Sequence, residues 1–144
     1  MPEKKTLERA REDAREGKSP STQAGEFVRE EIHHVREGKH GARSPQQAIA
    51  IGLSKARRAG VKLAPPKGSA ATRRKAAEDT KAANSRRKPS ATRSRAVEGA
   101  LKREPRSTAS HKALSGQAKK AAAKRGQKSR SQAATKAART RRAA

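Results

Sequence analysis

The chain has 144 residues, with 38 Lys and Arg against 13 Asp and Glu, a formal net charge of +25, and no Cys, Trp or Tyr. Thirty of its 44 hydrophobic residues are Ala, and Leu, Ile, Val and Phe total only 13, about 9% of the chain, where under ~20% with high net charge marks disorder. This excludes one large globular domain, a disulfide scaffold, a Cys-based metal centre and a thiol catalyst; the polar start from Met1 to Ala10 lacks a signal core, and no apolar run is long enough to span a membrane.

The first predicted helix runs from Glu3 to Glu16 and stops at Gly17, with a thin apolar stripe of Leu7, Ala10 and Ala14. Alone, so short a helix is marginal. The second spans about Thr22 to Glu37. Ala24, Val28, Ile32 and Val35 repeat at helical spacing, Phe27 widens that face, Ser21 or Thr22 can cap the start, and Gly38 can end it. The third opens with Ser44 as N-cap, Pro45 at the first helical position and Gln47 completing a capping box. Ile49, Leu53 and Ala56 share one of its faces, Ile51 lies beside them, and Gly60 followed by Val61 predicts a Schellman ending. Arg15-Glu16-Gly17-Lys18 recurs 21 residues later as Arg36-Glu37-Gly38-Lys39. The few large apolar residues predict a marginal head over residues 1–63, one that self-association or a partner protein could support.

Residues 64–69 contain Pro65, Pro66 and Gly68 and read as a linker. Beyond it, residues 70–144 are rich in Ala, Lys and Arg and are expected to be largely disordered. From residue 64 onward there are 24 basic residues and four acidic ones, Glu78, Asp79, Glu98 and Glu104, and the only larger apolar residues are Val97, Leu101 and Leu114. Ala, Lys, Arg and Gln permit local helices, but like charges one turn apart oppose them in free solution. Neutralisation on a polyanion would remove that opposition. The fold expected is mostly α and disordered: a small helical hairpin head of two to three short helices and a long, largely disordered basic tail.

Two stretches of the head resemble a known family. The run Gly17-Lys18-Ser19-Pro20-Ser21-Thr22-Gln23-Ala24-Gly25-Glu26-Phe27-Val28-Arg29-Glu30-Glu31 is similar to part of a bacterial family of small basic proteins, domain of unknown function 6496. Gly38 to Ser44 and Gln47 to Val61 resemble the rest of its core. The resemblance covers roughly residues 1–63 and implies a bacterial source and a small helical unit, with no catalytic residues to carry over. The tail resembles the Ala/Lys/Arg-rich arms of linker histones and bacterial histone-like proteins in composition.

The basic residues carry the functional expectation: sequence-nonspecific binding to DNA, in a cytoplasmic, nucleoid-associated or architectural protein, by neutralising phosphates. The candidates are Lys55, Arg57, Arg58 and Lys62 at the end of the third helix, then Arg73, Arg74, Lys75, Arg86, Arg87 and Lys88. Arg93, Arg95, Lys119, Lys120, Lys124 and Arg125 follow, and Lys128, Arg130, Lys136, Arg139, Arg141 and Arg142 complete the set. The tail has no aromatic residue to stack on bases. Two alternatives stay open: a protein-interaction module that the tail localises to nucleoid or ribosome, and an RNA- or ribosome-binding protein. His33 and His34 are adjacent on a helix and point about 100° apart, so they do not easily share an ion; pairs with Glu37 and Glu30 explain them, and no metal or cofactor is expected. Gly17-Lys18-Ser19 fails as a phosphate loop, because Glu12 stands where the earlier glycine belongs. No catalytic constellation is present, and the expectation is a protein that is not an enzyme.

Overall fold

Three helices end on left-handed glycines: Gly17 (φ 72°), Gly38 (φ 76°) and Gly60 (φ 95°). After each, the next backbone N–H reaches back five residues, Lys18 to Asp13, Lys39 to His34 and Val61 to Ala56, at 2.8, 3.0 and 3.1 Å. These are Schellman endings, and the repeated Arg-Glu-Gly-Lys is one stop signal used twice. The structure, a computed structural model, describes residues 1–85 and 90–143. The helices so ended are α1 (Lys4–Arg15), α2 (Pro20–Glu37) and α3 (Pro45–Arg58).

Helix α2 begins two residues before the expected Thr22. Its cap is Ser19, not Ser21 or Thr22, and Ser19 Oγ accepts from the Thr22 N–H at 3.4 Å. Pro20 decides this: its fixed φ suits the first helical position, and it holds the residue before it in extended geometry. At α3, Ser44 Oγ accepts from the Gln47 N–H at 3.2 Å, while Gln47 Oε1 accepts from the Arg43 N–H at 2.6 Å. The capping box thus reaches one residue further back than expected.

Phe27 and Val35 are the large apolar side chains with no exposure, and Ala24, Ala48 and Ala56 are equally buried. Leu7, Leu53 and Leu63 pack around the Phe27 cluster from its margins. The buried face of α3 is Ala48, Gly52 and Ala56, whereas Ile49 and Leu53 are half-buried. Gly52 is the reason: a Cβ there would lie 2.7 Å from Val28 Cα, so α2 and α3 meet backbone to backbone. Small residues set this interface, and larger ones line its edges.

The expectation of a long disordered tail is overturned. Past the prolines, the chain forms α4 (Ala70–Ala82), α5 (Ala91–Lys102), a 3₁₀ turn (Ser107–Ala109), α6 (His111–Lys124) and α7 (Gln127–Ala143). No strand occurs among the described residues. Local chemistry explains part of this. Ser69 Oγ accepts from the Thr72 N–H at 3.2 Å and Ser90 Oγ from the Arg93 N–H at 3.4 Å, each capping a segment rich in helix formers. Tertiary contact explains more. Helix α4 buries Ala76 and Asp79 against α3. The Gly41 N–H donates to the Leu101 carbonyl at 2.8 Å and the Ala42 N–H to that of Pro105 at 3.2 Å. A side chain at position 41 would overlap the Glu104 carbonyl, so the loop between α2 and α3 admits this segment only as glycine. Arg36 Nε donates to the fully buried Ala109 at its carbonyl, 2.8 Å away, and Arg106 Nη2 to the Arg36 carbonyl at 3.1 Å.

The chain divides into two compact units, Met1–Ser110 and the segment from His111 onward. The first holds the core. In the second, no residue from His111 to Arg142 is buried.

Candidate nucleic-acid interface

The cations fall into two sets, those spent on the fold and those left to solvent. At the end of α3, Lys55 Nζ lies 2.7 Å from Glu31 Oε2 and donates to Glu30 Oε1 at 3.2 Å. Arg57 is buried, with Nη2 donating to the Ala64 carbonyl at 3.2 Å. Arg58 Nε donates to Asp79 Oδ1 at 2.8 Å, and Lys75 Nζ reaches the same oxygen at 3.1 Å. Ser54 Oγ donates to the other carboxylate oxygen at 2.7 Å. Burial opposes charging Asp79, but Ser54, Arg58 and Lys75 together outweigh it and hold the carboxyl below its ordinary range. Three of the four cations expected here therefore staple the fold, and Lys62 alone of the four is exposed without such a bond.

Further along, Arg73 is exposed and donates through Nη1 to the Gly68 carbonyl at 2.7 Å. Arg74, Arg93 and Arg95 are exposed on α4 and α5. Arg86, Arg87 and Lys88 lie outside the described residues.

The second unit differs in kind. From His111 to the end there are 11 Lys and Arg and no Asp or Glu. Lys119, Lys120, Lys124, Arg125, Lys128, Arg130, Lys136, Arg139, Arg141 and Arg142 are all exposed. At about 100° per residue, Lys112, Lys119, Lys120 and Lys124 of α6 fall within one arc of about 140°, and Leu114 and Ala121 lie opposite. On α7, Lys128, Lys136, Arg139 and Arg142 fall within about 120° by the same spacing, with Arg130 and Arg141 on the far side. Each helix thus presents a cationic stripe of four side chains that no carboxylate of its own unit can neutralise.

The histidines have other partners than expected. His34 Nε2 lies 2.9 Å from Glu3 Oε1 rather than pairing with Glu30, and His33 is exposed. Burial opposes charge on Glu30, but the Thr6 hydroxyl, the Glu3 backbone N–H and Lys55 outweigh it and keep its carboxyl low. Glu31, His34 and His40 come together, with one donor atom from each within 4.8 Å of the others. The adjacency of His33 and His34 hid this grouping. The usable signal is Glu31-x-x-His34, one turn apart on a single face, with Gly38 turning the chain so that His40 returns to it.

Residues 15–68 match the model of a family of unknown function, DUF6496, which supports the resemblance over that segment. The match begins at the last residue of α1 and ends just before the cap of α4, later at both ends than the residues 1–63 expected. No curated protein and no solved structure matches the chain.

Proposed function

We propose that the protein is a non-enzymatic, sequence-nonspecific DNA-binding protein, nucleoid-associated or architectural in use, that acts by phosphate neutralisation. The observation that carries this reading is the segment from His111 onward: 11 cations, no acid, and no buried residue among those described. Side chains with no carboxylate partner keep their counterions in solution, and a polyphosphate releases its own condensed ions when they arrive. Pre-formed helices also favour binding, since less of the chain has to be ordered on contact. Helical rather than disordered arms change the mechanism first expected, because the charges meet the duplex as stripes. Without Tyr or Trp, and with its one Phe buried, the protein offers none of these three aromatic side chains for stacking on bases.

Replacing Lys119, Lys120, Lys124 and Arg125 together by Gln tests the assignment. Each lost phosphate contact is expected to lower the slope of log affinity against log salt by ~0.9 on duplex DNA, so the variant's slope falls by about 3.6 if all four engage. An unchanged slope would move the interface elsewhere. Structured RNA competing more strongly than duplex at matched salt would replace DNA by RNA as the partner.

A further inference from the structure

Glu31 is buried with its charge poorly compensated. Its side chain is about 1% exposed, and neither carboxylate oxygen has a hydrogen-bond partner of ordinary geometry. Its nearest cation, Lys55, is shared with the buried Glu30. One ammonium thus serves two interior carboxylates, and a buried charge without a full partner is costly.

His40 sharpens the point. Its Nδ1 lies 3.0 Å from the Gly41 carbonyl, an acceptor only, so Nδ1 is the donor and Nε2 is the ring nitrogen left for a second partner. That Nε2 faces Glu31 Oε1 at 3.2 Å. Two lone-pair donors so placed repel each other unless a proton or a cation lies between them. Around a tetrahedral zinc ion, donors at ~2.0–2.1 Å from the metal stand about 3.3 Å apart, close to the separation found. His34 supplies a second imidazole beside them, its ring centroid 6.1 Å from that of His40 and nearly perpendicular to it.

We propose that Glu31, His34 and His40 form a binding site for a divalent transition-metal ion, with zinc suited to two imidazoles and one carboxylate. Outer partners of the kind such ligands use are in place. The Gly41 carbonyl holds His40, Glu3 holds His34, and the Lys55 ammonium lies 2.7 Å from the second oxygen of Glu31. All three ligands line a cleft of about 1180 Å³ in the first unit, from which water can complete the coordination. The ion would tie α2 to the loop whose Gly41 and Ala42 carry the backbone bonds to Leu101 and Pro105. Its role is structural, independent of the DNA-binding reading.

The test uses the full-length protein, stripped with a chelator, then titrated with Zn²⁺ by calorimetry and with Co²⁺ by visible absorption. The expected result is one ion per chain, cobalt d–d bands that zinc abolishes, and affinity that falls with pH as protons compete for the ligands. H34A and H40A should each weaken binding by at least the ~10–100-fold seen for the loss of outer-shell partners, while H33A and H111A leave it unchanged. Should H40A fail to fold, H34Q and the zinc-induced ¹⁵N shift of His40 Nε2 in the unsubstituted protein carry the same test. Absence of binding, or binding equal in wild type and H34A, would overturn the site.

Discussion

Helices α2 and α6 are both regular, but they owe their regularity to different forces. Helix α2 places Phe27 and Val35 wholly inside and is capped by Ser19 and stopped by Gly38. Helix α6 has no buried residue and consists largely of Ala and Lys. Packing holds the first, and intrinsic propensity holds the second. The two halves of the molecule therefore use their cations differently. Where packing is tight, Lys55, Arg57 and Arg58 are consumed by internal partners; from His111 onward, where no described residue is buried, every described cation is exposed.

Amide hydrogen exchange gives the largest expected contrast. Amides of α2 between Ala24 and Val35 should be protected by on the order of 10³-fold or more, as in a folded core, and those of α6 and α7 only weakly. Equal protection in both would mean that packing holds α6 and α7 as it holds α2. F27A should remove about 3–5 kcal/mol from the first unit by opening a cavity against Ala24 and Ala56. Chemical denaturation followed by far-UV circular dichroism would read this, with the signal from α6 and α7 largely unaffected.

Asp79 carries the same contrast in charge, a buried carboxylate held by cations of the first unit. Its carboxyl is held below the ordinary value when folded, so it contributes stability above the unfolded pKa of ~3.9. That contribution declines as pH falls through ~3.9 and is gone below the folded value. D79N should cost about 1.5–3 kcal/mol at neutral pH, as expected for charge-assisted bonds, and should flatten the acid limb of the stability profile. An acid limb identical to that of the unsubstituted protein would remove Asp79 from the account. The smallest effect belongs to a cap: S69A should cost about 1 kcal/mol through the first turn of α4, measurable as a shift in the denaturation midpoint.

Much of the head was legible because its signals are local. Ser44-Pro45, Gly38 and Gly60 each dictate a backbone geometry within a few residues. The docking of α4 and of residues 101–109 was not legible, because it rests on Ala76, Ala109 and backbone bonds to Gly41 and Ala42, none of which produces a run of large apolar residues. Counting Leu, Ile, Val and Phe undervalues a core in which Ala and Gly let backbones touch, as Gly52 does against Val28. The cationic surface was readable as charge, but not which cations stay free. Arg57 and Arg58 look like Arg141 and Arg142 in sequence, and only the fold gives the first two an internal carbonyl and a carboxylate.

The most direct measurement is the affinity of the full-length protein for duplex DNA as a function of salt. With about ten cations engaged, log affinity should fall with log salt at a slope near −9, on the order of 10⁵-fold between 50 and 200 mM. No binding at 50 mM, or an affinity that salt leaves unchanged, would contradict the account.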